Sequence, residues 1–162
     1  ISSRPSTLRN VPLVGARHAF ENYLLINKVE CIELGLYRYL AIEHKLMEVN
    51  IESDIAEKVT KSCGNQIFIK NSAVTFIWTT DIYRMKWRYG ERGYRYIHLD
   101  AVHVCQNLYL ASQSIDSGVC AIAAFDDDEI NKLLGNLAKQ YVIRRIAFLI
   151  SFFEKLRELL NH

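Results

Sequence analysis

The chain has 162 residues, half of them hydrophobic and 23% charged, with 7 glycines and 2 prolines. Such a composition excludes a disordered or collagen-like polymer and suffices for one domain with a packed core, in which roughly 70% of the unfolded chain's surface is buried. The 20 basic and 18 acidic side chains are mixed along the chain and leave a formal charge of +2, too weak a field to imply a nucleic-acid partner, so any basic site must be local.

Read from its start, the segment ISSRPSTLRNVP has no apolar signal core and no starting methionine, which suggests a fragment or a processed chain. No later stretch reaches the ~18 uninterrupted apolar residues of a membrane span. Cys31, Cys63, Cys105 and Cys120 lie far apart without a CxxC pair, as reduced thiols of a cytoplasmic protein would. A single domain over residues 1–162 is expected, with an extended segment at 1–12 and an atypical strand and helix at 136–162.

From Glu21 to Ala41, NYLLINKV and GLYRYLA flank the turn-prone ECIEL and predict an antiparallel hairpin. In HKLMEVNIESDIAEKVTKSCG, Ser53 precedes Ile55, Ala56 and Val59, with Lys58 and Lys61 late and Gly64 as a stop, the signature of a short capped helix. VTFIWTT, Val74 to Thr80, predicts a buried strand. A helix is expected from about Gly93 to Ser114, and because Leu99, Val102, Gln106, Leu108, Tyr109 and Leu110 cover nearly all of its faces it reads as central. Gly118 opens VCAIAAF, a second buried-strand candidate, and DDDEINKLLG follows with acids in its first turn, Lys132 later and Gly135 at its end. The tail YVIRRIAFLISFFEKLRELLNH reads as a brief strand and then a helix with Ile146, Leu149, Ile150, Phe153, Leu156 and Leu160 on its apolar stripe.

The chain carries no GxGxxG, Walker loop, HExxH or GxSxG, and its five histidines lack metal-ligand spacing. Asp126 to Asp128 could hold a cation, but acids at a helix start more simply complement the dipole. His103 is either an acid or base, or a satisfied core histidine. Gln106 and Asn107, if buried, must tie the helix to a neighbour or a ligand. Arg84, Lys86, Trp87, Arg88, Tyr89, Arg92, Tyr94, Arg95 and Tyr96 form a basic and aromatic run that could stack single-stranded bases, yet Asp81, Glu91 and Asp100 interrupt it and argue against nucleic acid.

GARH at Gly15 to His18 with its hairpin, then IWTTDIYRMKWRYGERGYRYIHLDAVHVCQNLYLA, then GVCAIAAFDDDEINKLLG, resemble in order and spacing the SagB-type branch of the nitroreductase superfamily. The resemblance implies an α+β fold, a mostly antiparallel sheet flanked by helices, assembled as a homodimer with FMN at the subunit interface. It places Gly15, Ala16, Arg17 and His18 in a loop along the flavin, and the backbone N–H groups of Ala123 and Ala124 near its N5 and O4. It implies hydride transfer between NAD(P)H, or a small-molecule or peptide-derived substrate, and flavin N5. Arg88 and Tyr89 fall where azoline-oxidising relatives carry a Lys-Tyr pair for proton transfer; an arginine does not serve as the base, so the proton falls to Tyr89.

The chain departs from the pattern in four ways. The sequence starts after the place where the resemblance puts an N-terminal arginine-rich phosphate segment, and Leu13 and Val14 replace a small Ser-Ala pair. Val102 and Ala123 replace glycines, each adding volume where overpacking costs about 1 to 3 kcal/mol. The closing basic end is altered, with Arg144 and Arg145 as either a substitute phosphate contact or a solvated flank. The alternative reading is therefore a degenerate, non-catalytic scaffold or interaction module without flavin.

Overall fold

A computed structural model describes residues 9–135, and the backbone alone of residues 147–154. The predicted hairpin is present: β1 (Phe20–Ile26) and β2 (Gly35–Leu40) pair antiparallel, Leu24 opposite Tyr37. Aromatic residues and leucines on both sides of a turn suit a pleated, half-buried ribbon. A third strand, β3 (Lys45–Asn50), extends the hairpin at the sheet edge. Its KLMEVN carries Lys45 and Glu48, charges of the kind that keep an edge from pairing with other chains.

α1 (Ile55–Ser62) forms where capping was expected, but its N-cap is Asp54, not Ser53, and no side chain caps it. It is followed by the short α2 (Phe68–Asn71) and by β4 (Val74–Thr80), which matches the predicted strand. The Arg/Tyr-rich stretch splits into α3 (Ile82–Tyr89) and α4 (Arg92–Gln113). Gly90, at φ 55°, makes the break in a conformation that costs a glycine little. β5 (Ser117–Ile122) and α5 (Asp127–Leu133) complete the region with Asp126 as N-cap.

The tail corrects its expectation. Residues Ala147–Glu154 form a strand, β6, not a helix, inserted between β4 and β5. AFLISFF is apolar except for Ser151, and such a run fits a strand paired on both edges as well as it fits a helical stripe. The expected YVI strand, Arg144, Arg145, Leu156 and Leu160 lie outside the described residues.

The sheet order is β3-β2-β1-β4-β6-β5, antiparallel throughout. An α+β architecture with a mostly antiparallel sheet flanked by helices is thus the one observed. On one face Tyr23, Leu25, Ile77 and Ile122 pack with Ile55, Val59, Ile69, Ile130 and Leu134 of α1, α2 and α5. On the other, Phe20 and Trp78 pack with Ile82, Met85, Ile97 and Ala101 of α3 and α4. Each large apolar side chain so buried stabilises the fold by about 1.5 to 3 kcal/mol.

Two expectations of complete burial fail within the protomer. Only one side of α4 meets the sheet, and Leu99, Val102 and Leu110 on its outer side are 49%, 65% and 62% exposed. β5 lies at the sheet edge, with Cys120 and Ala121 exposed, and the Tyr109 hydroxyl accepts from the Ala121 N–H at 3.1 Å. Among the described residues no helix is long and apolar enough to cross a membrane.

Strand direction decides what can form a site. Phe20 pairs with Thr80, Thr79 with Ala147, and Leu149 with Ile122. The start of β1, the end of β4 and the end of β5 therefore share one end of the sheet. The turns before β1 and after β5 open there, three strand spacings apart, about 14 Å.

Candidate active site

The turn before β1 is a 3-10 turn, Val14–Ala16, followed by Arg17 and His18. Gly15, Ala16 and His18 all have positive φ, 60°, 50° and 48°. Non-glycine residues hold such angles at a cost of about 1 to 3 kcal/mol each, and only where the surroundings impose them. Those surroundings come from α3 and α4. The Val14 N–H donates to Asp100 Oδ1 at 2.9 Å. Arg84 Nη1 donates to the His18 carbonyl at 2.8 Å, and Arg17 Nε returns a bond to the Arg84 carbonyl at 3.0 Å. The Arg17 guanidinium also lies 4.9 Å from the centre of the exposed Trp87 ring.

Tyr89, at the end of α3, reaches the same turn. Its hydroxyl occupies the place that a Cβ on residue 15 would take, so a glycine there gives the tyrosine its space and adopts the positive φ at least cost. The Tyr89 ring meets Tyr96 edge-on at 4.9 Å, and the Arg88 guanidinium lies 5.6 Å from it. The structure thus brings together Gly15, Ala16, Arg17, His18, Arg88 and Tyr89 of the sequence-predicted residues.

Beneath the turn, a charge network locks α3 to the hairpin. Glu21 receives Arg38 at 2.9 Å and Arg84 at 2.7 Å, while Arg84 Nε reaches Asp81 at 3.1 Å. Burial pushes the Glu21 carboxyl up, but the Arg38 hydrogen bond and the charges of Arg84 and Arg38 outweigh it and hold the group below its ordinary value. Asp100 shows the opposite balance. Its burial raises the carboxyl, and neither the Val14 hydrogen bond nor the charge of His103 restores it. Burial alone pushes the Cys63 thiol up to about 12, which suits an inert core position.

Ala123 and Ala124, in the turn after β5, are exposed. The Ala124 carbonyl accepts from Gln66 Nε2 at 3.2 Å, and the Asp126 N–H donates to the Ser62 carbonyl at 2.8 Å. Asp126 Oδ1 accepts from the Glu129 N–H at 2.9 Å, so the triple-aspartate run opens with a helix cap. The two predicted contact turns therefore share one end of the sheet without touching.

A cavity of about 790 Å³ lies beside the first turn, lined in part by Leu13, His18, Phe20, Tyr39, Trp78 and Arg84, but not by Ala123, Ala124, Arg88 or Tyr89. The feared overpacking takes another form: Leu13 and Val14 pack toward the cluster under α3 and α4, while Val102 and Ala123 face outward. His103 is exposed, against the core reading, and Asn107 Nδ2 ties α4 to the Asn10 carbonyl at 2.9 Å.

Sequence reasoning missed Asp100, Arg84 and Glu21 as supports of the turn. Asp100 and Arg84 had been noted only as members of a basic run and its interruptions. The available signal was an acid at Asp100 in helical register with the apolar Ile97, Ala101 and Val104.

The nitroreductase family model matches residues 6–149. A candidate nitroreductase from Methanocaldococcus jannaschii is 30% identical over 126 residues, covering 78% of this chain and 63% of that protein. The crystal structure of a candidate nitroreductase from Anabaena variabilis superposes with a TM-score of 0.81 at 27% identity, over 98% of this chain and 33% of that one. A chain of the Escherichia coli microcin synthetase complex, solved with a truncated precursor bound, shares the fold with a TM-score of 0.75 at 20% identity, over 94% of this chain and 58% of that one. The chain thus spans less than two thirds of the length of each.

Proposed function

The chain belongs to the nitroreductase family, and from that premise we propose that it forms the flavin-contacting body of an FMN-dependent oxidoreductase of the SagB type. When bound, FMN supplies a ring that exchanges a hydride with NAD(P)H or with a small-molecule or peptide-derived substrate. Gly15 and Ala16 offer an exposed backbone with no bulky side chain, and Ala123 and Ala124 do the same after β5. Both turns fit the approach of a flat ring. Arg17, which makes no ion pair among the described residues, would supply positive charge to a reduced, anionic ring held against this turn. The Tyr89 hydroxyl, held against Gly15, is the group suited to hold or give a proton, while Arg88 offers hydrogen-bond donors and charge.

The separation of the turns by three strand spacings, about 14 Å, supports an assembly in which one flavin takes the first turn from one protomer and the second from its partner. The exposed outer stripe of α4 supports the same homodimer, since Leu99, Val102 and Leu110 in a row are unusual on a monomer. A cytoplasmic setting is part of this reading, in keeping with four free cysteines.

The observation that carries the proposal is the convergence of the family match with two small-residue turns at one end of the sheet. Titration of the purified chain with FMN should quench flavin fluorescence to a saturating endpoint and leave a yellow protein after gel filtration. A dimer that leaves FMN fluorescence unchanged would instead support the scaffold reading.

A further inference from the structure

Asp100 is 2% exposed on α4, and the apolar side chains of Ile97 and Ala101 beside it belong to the core. A carboxylate in such a place loses hydration that no salt bridge among the described residues restores, so its retention needs a reason. The reason is on the facing turn. Val14 is the first residue of the 3-10 turn, where the N–H has no acceptor within the turn, and Leu13 at the N-cap makes no side-chain cap bond. The Ala16 N–H already bonds the Leu13 carbonyl at 3.2 Å. Asp100, 86 residues away, provides the missing acceptor at 2.9 Å, a cap lent by another helix.

We propose that Asp100 is a positioning residue for the flavin site, its carboxylate fixing the Val14 amide and through it the left-handed backbone of Gly15 and Ala16. The inference rests on the reading of this turn as a flavin contact. It also joins the site to α4, whose outer side carries the stripe assigned above to the homodimer, so the helix that meets the partner would also shape the turn that meets the cofactor.

The test compares Asp100→Leu, similar in volume but without an acceptor, with Asp100→Asn, which keeps the oxygen. Three quantities are read: hydrogen exchange at the Val14 amide in the flavin-free chain, the FMN dissociation constant, and the thermal midpoint. Asp100→Leu should speed Val14 exchange and weaken FMN binding, each by about tenfold or more, the factor expected for a lost hydrogen bond to a charged group. Its unfolding should stay cooperative. Asp100→Asn should return both readings to within about threefold of the parent chain.

Unchanged FMN affinity in a folded Asp100→Leu, or equal losses in both variants, overturns the inference. Should Asp100→Leu fail to fold, Asp100→Asn decides: a protected Val14 amide supports the anchor, and an unprotected one overturns it. Failure of the parent chain to bind FMN would instead remove the reading beneath, and Val14 exchange would still report on the anchor itself.

Discussion

The two turns at the end of the sheet are built on different plans. The one before β1 departs from ordinary backbone geometry at Gly15, Ala16 and His18, and it is held by side chains from distant helices: Asp100, Arg84 and Tyr89. The one after β5 has no positive-φ residue, and it is held by a cap within its own helix, by the Asp126 N–H on the Ser62 carbonyl and by one distant side chain, Gln66, on the Ala124 carbonyl. A strained turn must be imposed from outside, whereas a relaxed one can follow from its local sequence. Loss of one distant support should therefore damage the first turn more than loss of the local cap damages the second.

The largest effect is expected at Gly15. Gly15→Ala places a methyl on the Tyr89 hydroxyl and forces a φ of 60° on a residue with a side chain. Together these should lower stability by about 3 kcal/mol. For a chain of this size the thermal midpoint should fall by roughly 6–12 °C in differential scanning calorimetry. The same change in a Tyr89→Phe background should recover about 1 kcal/mol of it, the steric share. A loss below about 0.5 kcal/mol, the range of an ordinary surface change, would mean that the turn relaxes freely and that the contrast between the two turns is false.

Smaller, and dependent on pH, is the charge network beneath the same turn. The Glu21 pKa is lowered in the folded state, so its stabilisation is fully present above the ordinary carboxylate value and is lost as pH falls through the folded one. Because Glu21, Arg38 and Arg84 keep 23%, 30% and 39% of their side-chain surface in water, screening limits the gain to about 1 kcal/mol. Glu21→Gln should lower the unfolding free energy by that amount at neutral pH. Once both forms are uncharged in strong acid, the two chains should be equally stable. Asp100 works in the reverse sense: its raised pKa makes ionisation costly as pH climbs through the carboxylate range. Denaturant titrations of the Gln variant and its parent across acidic pH separate the two groups, since only the Glu21 share disappears in the variant.

The same contrast explains what the sequence reveals. β1, β2 and β4 are legible because β-branched and aromatic runs lie between turn signals, and the second turn is legible because Asp126 and Glu129 sit within one helical turn of each other. β3 was missed because KLMEVN carries as many charges as a helix lead-in. β6 was read as a helix because Ile146, Leu149, Ile150 and Phe153 satisfy a helical spacing, while the pairing of Ala147–Glu154 on both edges depends on strands far away in sequence. The first turn was singled out by resemblance alone, which carries no trace of its supports, since Asp100 lies 86 residues from Val14 and Arg84 lies 66 from His18. Exposure of the outer side of α4 was equally hidden, because an apolar residue looks the same in sequence whether the sheet covers it or it faces outward.

The second turn supplies the smallest predicted effect. Asp126 Oδ1 accepts from the Glu129 N–H, an otherwise unpaired donor at the start of a helix of only seven residues. Asp126→Ala removes that acceptor and should cost about 1 kcal/mol, the usual value of an N-cap. Yet the Ser62 carbonyl still receives the residue 126 amide, and Gln66 still holds the Ala124 carbonyl, so the backbone at Ala123 and Ala124 keeps two of its three supports. FMN affinity should then change by less than about twofold, a free-energy change of roughly 0.4 kcal/mol. A fall near tenfold, measured in the titration used for Asp100→Leu, would show that the second turn depends on this one cap as heavily as the first depends on Asp100, and the contrast between the turns would not stand.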